Sequence, residues 1–236
     1  MKNIIGKISS NSLLTIGIFV LILNLIPIVA SADASGDDEG KNLKAKLAST
    51  VTELDLQALL TDEQFVFDFN KTTEGVALGD GGRIVVASAA VFPALIKHDI
   101  AMAVGSIEPC GLVLPHTHRA TELVYVSQGK FEAGFIQENG GRFIKNVIVA
   151  GQVVVFPEGS IHFAQNLNCE PAFFIASFNS ADPGVQITAD NAIKGLPVDI
   201  VAASLGISIK AAKDLRDSLP AVPSLGSQEC RKKCKI

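Results

Sequence analysis

The chain lacks tryptophan and has a single tyrosine, so its aromatic surface rests on 13 phenylalanines. It has no long basic run. Lys+Arg number 20 against 24 Asp+Glu, for a net charge of -4. Without a cationic footprint, nucleic-acid binding is excluded as the main activity. Low charge of one sign and 48% hydrophobic residues also exclude an intrinsically disordered chain. There is no internal repeat and no low-complexity segment. Only one long apolar run occurs, from Leu13 to Leu23. It follows Lys2 and Lys7, is interrupted by Asn24 and Pro27, and leads to Ala30-Ser31-Ala32. A basic head, a short apolar stretch and a small-x-small site make residues 1–32 a secretory signal peptide. The stretch is short for a stable membrane span. The expectation is a secreted, extracellular protein, off the membrane after cleavage.

Cysteines and histidines are scarce too, four of each. An even cysteine count in an exported chain permits disulfides. Asn70-Lys71-Thr72 is the one glycosylation sequon, which makes Asn70 the candidate acceptor.

Residues 33–41 are small and acidic and read as a flexible leader, with a short helix or arm across 42–60. From 61 to 187, short Val/Ile/Phe-rich runs alternate with Gly, Pro and Asn. Arg83–Ala87, Phe131–Ile136 and Ala172–Phe178 are examples, and Asn139-Gly140-Gly141 suits a hairpin turn. Such spacing predicts an all-β barrel or sandwich. Across 188–220, Val198, Val201, Ala202 and Leu205, then Ile209, Ala212 and Leu215, recur at helical spacing either side of Gly206. That predicts two C-terminal helices. Residues 221–236 read as an extended tail.

Three of the four histidines fall in two motifs inside the β region. The first runs from Gly111 through Pro115-His116-Thr117-His118 to Glu122 and Gly129. The second runs from Gly151 through Pro157, Gly159 and His162 to Asn166. On a strand, residues two apart face the same side, so His116 and His118 point together. Glu122 shares their parity. Three imidazoles and a carboxylate converging in a barrel make a site for a divalent transition metal. No cysteine belongs to either motif, which argues against a soft structural zinc site. His98, in the polar run Lys97-His98-Asp99, reads as exposed.

These two motifs resemble the paired motifs of the cupin superfamily. Val91–Leu95, Pro115–His118, Arg119–Glu122 and Asp182–Gln186 are more specifically similar to germin-like proteins and their spherulin relatives. The resemblance implies a single-domain cupin jelly-roll β-barrel, all-β with C-terminal helices. It implies Mn2+, other divalent transition metals being compatible, held by His116, His118, Glu122 and His162. It also implies a homo-oligomer, trimer or hexamer, clasped by the C-terminal helices. The sequence departs from the plant germins in lacking a proline after the second histidine. It departs again where the oxalate-oxidising germins carry two asparagines, which align with Ala103 and Val113.

Three functions fit. One is an extracellular manganese superoxide dismutase, whose small anionic substrate needs no elaborate pocket. Another is an oxidase for a small carboxylate such as oxalate, with Gln152 or Gln165 as substitute polar contacts. The third is a non-catalytic coat, encystment or storage protein of the spherulin kind. Asn166 reads as structural. Paired positions of an antiparallel ladder keep a constant sum of residue numbers. The sum for Cys110 and Cys169 falls between those of the histidine pairs, which predicts a Cys110–Cys169 disulfide. Cys230 and Cys234 would close a small loop or join chains.

Overall fold

The computed structural model describes residues 35–236, so the expected signal peptide lies outside the described residues. Two antiparallel sheets face each other across one core. The first contains β1 (Val76–Gly79), β2 (Gly82–Ala87), β3 (Ala101–Ile107), β5 (Glu122–Gln128), β8 (Val153–Phe156) and β10 (Ala172–Phe178), in the order β1-β2-β3-β10-β5-β8. The second contains β4 (Gly111–Thr117), β6 (Lys130–Ile136), β7 (Ile144–Val149), β9 (Ile161–Asn166) and β11 (Gln186–Ile187), in the order β11-β4-β9-β6-β7. A short twelfth strand, β12 (Ser224–Leu225), pairs with the first half of β4. This is the jelly-roll architecture expected from the sequence.

Alternation along the strands builds the core. On β10, Ala172, Phe174, Ala176 and Phe178 are buried, and their neighbours less so. Residue sizes match across the ladder: Phe174 pairs with Gly105 on β3, and a Cβ there would lie 2.2 Å from the phenyl ring. Phe131, Phe156, Ile107 and Val126 fill the rest.

Two helices follow the barrel, α3 (Val198–Leu205) and α4 (Ile209–Asp217). Gly206 ends the first at φ 66°, a left-handed position that glycine takes without a Cβ penalty. Ser208 caps the second through the Ala211 amide. Val201, Ala202 and Ala212 are buried between them.

Two segments differ from expectation. A helix, α1 (Ser35–Ser49), occupies most of the stretch read as a flexible leader, followed by α2 (Glu53–Gln57). Burial of Leu47 and Leu56 and a Lys44 Nζ bond to the Ala90 carbonyl (2.5 Å) dock this arm, so tertiary contacts override its polar composition. The tail is not extended. After β12 it forms α5 (Gln228–Cys234), capped by Ser227. Glycines let the tail backbone approach closely: a Cβ on Gly81 would lie 1.9 Å from the Ser224 carbonyl oxygen, and one on Gly226 2.0 Å from that of Cys110.

The disulfides are the main correction. Cys110 pairs with Cys230, and Cys169 with Cys234, not Cys110 with Cys169. Neither cysteine lies in the β4–β9 ladder: Cys110 precedes β4 and Cys169 follows β9. The ladder of β4 and β9 pairs His116 with His162 but shifts by one before reaching Val113 with Ala164 and Leu112 with Gln165. Proline has no N–H to give a ladder, which suits it to a bulge. Extended past the strand end, that register sets Cys110 opposite Leu167. Cys169 then lies round the turn that follows β9, where α5 reaches both cysteines.

Asn166 holds that turn. Its side chain is fully buried. Nδ2 donates to the carbonyls of Ile107 (3.1 Å), Glu108 (3.0 Å) and Glu170 (2.9 Å), and Oδ1 accepts from the Asn168 amide (2.8 Å). Asn166→Ala strands several buried groups at once, each worth about 1–3 kcal/mol when unsatisfied. We expect it to cost about 3 kcal/mol in urea unfolding with the secondary structure retained. A cost below about 1 kcal/mol would show that water replaces the amide.

Candidate metal centre

The four predicted ligands come from three strand ends. His116 lies on β4 just past the bulge, and His118 one residue beyond that strand. Glu122 opens β5, and His162 sits on β9. The ladder pairs His116 directly with His162. Glu122 is paired on one side with Phe178 of β10 and on the other with Phe156 of β8. One ligand atom from each residue falls within 4.8 Å of all the others. His116 (7% exposed), Glu122 (5%) and His162 (3%) are buried, and the His118 side chain is equally secluded.

Every imidazole is oriented by a backbone carbonyl. His116 Nδ1 lies 2.7 Å from the Leu114 carbonyl oxygen, and His162 Nδ1 2.9 Å from that of Ser160. His118 Nδ1 bonds the Gly184 carbonyl. Carbonyls only accept, so each Nδ1 carries the hydrogen and each Nε2 presents a lone pair inward. Such outer contacts fix the tautomer of metal-ligating histidines. The Phe156 ring stacks on His162 at 4.4 Å and 15°, setting its plane.

The arrangement calls for a cation. His162 Nε2 and Glu122 Oε2 are 2.9 Å apart, both buried and without a hydrogen-bond partner. His118 Nε2 lies 3.6 Å from the same oxygen. Buried lone pairs facing each other are unfavourable unless a metal ion or a proton sits between them. Three neutral nitrogens and one carboxylate oxygen, with no thiolate, fit a first-row divalent metal.

Burial pushes the His116 imidazole well below its ordinary pKa, and the neighbouring His162 and His118 push the same way. Burial also lowers His118, although Glu122 and the Gly184 carbonyl oppose it. Both rings are thus held ready as neutral donors. Their depressed pKa values also set a sign. In the unfolded chain these histidines take up protons near pH 6.5. In the fold they do so only at lower pH. Their contribution to stability is therefore present above about pH 6.5 and lost as pH falls through the folded values. We expect the melting temperature of the metal-free protein to fall between pH 7 and pH 5. The slope should shrink in a His116→Phe variant.

The loop Asp182–Gln186 is a functional element that strand patterns did not assign. Arg119 joins Asp182 by a 2.6 Å ion pair, and its amide donates to the Pro183 carbonyl (2.8 Å). Gly184, at φ 60°, packs beneath the Arg119 guanidinium and aims its carbonyl at His118. The Asp-Pro-Gly turn was visible in the sequence, but its contact 66 residues away was not.

Above the ligands opens a cavity of about 450 Å³. Its walls include Ala103, Val113, Val124, Phe156, Phe174 and Phe178. Ala103 and Val113 do stand in the wall, and neither side chain offers a hydrogen bond. Gln165 and Gln152 are corrected as substrate contacts. Gln165 bonds Ser227 of the tail (3.1 Å), and Gln152 accepts from the Val149 amide in a turn (3.1 Å). Asn70 is exposed. His98 is exposed, as expected, 3.7 Å from Glu53.

Fold and ligand cluster together define a cupin, and the comparisons agree. Residues 69–213 match the cupin family, so the chain belongs to it. Within that family it sits among spherulins and germin-like proteins. It is 52% identical to Spherulin-1A of Physarum polycephalum over 81% of this chain and 78% of that one. It is 35% identical to Germin-like protein 1-1 of Oryza sativa subsp. japonica over 65% of this chain and 72% of that one. Among solved structures, an oxalate oxidase superposes with a TM-score of 0.55 at 24% identity, covering 67% of this chain and 79% of that one. That last likeness speaks to the fold alone.

Proposed function

We propose that this chain is an exported, manganese-binding germin-like cupin whose centre reacts with a small anion, superoxide being the simplest. One observation carries the reading: three inward Nε2 atoms and one carboxylate oxygen meet within 4.8 Å in a buried, otherwise apolar pocket. His116, His118, Glu122 and His162 would hold the ion. One carboxylate leaves a divalent cation with net positive charge, which draws anions into the cavity. Bound manganese would supply one-electron chemistry by changing between its +2 and +3 states. The chain's own part is to fix the ligand geometry, keep the His116 and His118 imidazoles neutral and exclude bulk water. The donor set and the germin-like relatives support manganese over softer ions.

The pattern of residues 1–32 supports export, and so does the pairing of all four cysteines, since disulfides persist in oxidising compartments. Exposed Asn70 is the proposed glycan site. Exposed Ile200, Leu205, Ile207 and Ile209 on α3, α4 and their junction support a homo-oligomeric contact.

A second reading is favoured by the 52% identity to a spherulin and by the cavity walls, where the one acid or base beyond the ligands, Asp182, is paired with Arg119. Here the metal only stabilises a coat or encystment protein. Metal analysis and Mn(II) spin resonance on protein purified from the medium test the first claim. Superoxide dismutation and oxalate consumption are assayed on the same sample. We expect one manganese per chain, dismutation that is lost in His116→Ala, and no oxalate consumption. Full occupancy with no turnover supports the coat reading. Absence of any bound transition metal sinks both.

A further inference from the structure

The cavity over the ligand cluster is much larger than superoxide or oxalate needs. Its volume of about 450 Å³ falls in the range of sites that enclose a small organic ligand. Small residues make the space: Ala103 and Ala164 face it where larger side chains would fill it. Three phenylalanines, Phe156, Phe174 and Phe178, supply flat apolar wall. Charged side chains are confined to two places. One is the ligand cluster. The other is Asp182, whose 71% exposed carboxylate is taken up by Arg119.

A site with one cationic pole and apolar walls selects its ligand by shape and polarity. A single carboxylate can satisfy the pole. The remainder of the molecule must then be apolar, because a second carboxylate would lie among Ala103, Val113 and Val124 with no donor to meet it. Burying an unpaired charge is strongly unfavourable. We propose that the cavity binds a medium-chain aliphatic monocarboxylic acid, its carboxylate toward the His116–His118–Glu122–His162 cluster and its chain along the phenylalanine wall. This rests on the metal reading above and narrows the ligand class of that same site.

Calorimetric titration of manganese-loaded protein with acetate, butanoate, hexanoate and hexanedioate tests it, after metal content has been measured. Each methylene buried should tighten binding about fourfold. Hexanoate is expected to bind on the order of a hundredfold more tightly than acetate. Hexanedioate, whose second carboxylate sits at the far end of the chain, should bind no better than acetate, and removal of the metal should weaken hexanoate at least about tenfold. Ala103→Asn sets an amide in the wall and should weaken hexanoate. The comparison among acids uses the unaltered protein, so it holds even if that variant fails to fold. With one metal per chain, equal affinity across chain lengths, or hexanedioate binding more tightly than hexanoate, overturns the ligand class and leaves the metal centre standing. A chain that takes up no metal overturns both.

Discussion

Glu122→Gln should separate two effects that most ligand substitutions confound. In the metal-free protein, Glu122 Oε2 faces the His162 lone pair at 2.9 Å, and neither atom has a hydrogen-bond partner. A glutamine amide is the same size and brings a donor, so it can bond His162 Nε2 directly. The metal-free variant should therefore melt at the same temperature as the parent or slightly higher. With metal the order reverses. A ligand present at a thousand times its Kd stabilises the native state by about 4 kcal/mol. In a chain of this size that raises the melting temperature by about 8–16 °C. Glutamine removes the only anionic donor of the set, and we expect at least a hundredfold loss of metal affinity. Even loss of an outer partner to a ligand costs about ten- to hundredfold. The metal-dependent shift should almost vanish. Thermal scans of both proteins with and without manganese check this. A metal-free variant markedly less stable than the parent would mean that a protonated His162 already pairs with Glu122.

The ligand set was legible in the sequence because each member is fixed by short-range geometry. His116 and His118 share a face by strand alternation alone, and the turn made by Pro157 and Gly159 returns the chain to His162. Helices α3 and α4 were legible for a similar reason. Their apolar spacing, the left-handed Gly206 and the Ser208 cap are all local. What could not be read depended on contacts distant in sequence. The His118 carbonyl partner lies on a loop 66 residues on. Gln165 looked free to meet substrate, but the tail folds back and its Ser227 takes the amide. The docking of α1 through Leu47 was hidden because the surrounding residues are polar. The cysteine pairing failed for a sharper reason. A constant register was carried past the ends of β4 and β9 to cysteines that lie outside the ladder, and the bulge at Leu114–Pro115 shifts even that register by one residue.

That pairing carries the second large effect, because the bridges bind the tail beside the ends of β4 and β9, the strands that bear His116 and His162. Cys110–Cys230 spans 120 residues and Cys169–Cys234 spans 65. Closing loops of such length restricts the unfolded chain strongly, by about 4–5 kcal/mol per bridge in the chain-entropy account. Measured values are commonly lower, about 2–5 kcal/mol. The whole stability of a domain is only about 5–15 kcal/mol. Cys230→Ser combined with Cys234→Ser should therefore lower the melting temperature by at least about 10 °C. The released tail also exposes the β4 backbone at Gly111 and Leu112, where β12 pairs. Hydrogen exchange should quicken there first, and at Gln165, whose side chain loses Ser227. The metal ligands lie past the bulge and are held by β9, β11 and the Gly184 loop instead. Metal affinity should thus change by less than about tenfold, well short of the Glu122→Gln loss. Peptide mapping without reduction distinguishes the pairing directly. Recovery of Cys110 linked to Cys169 in the unaltered protein would restore the constant-register picture and leave α5 untethered.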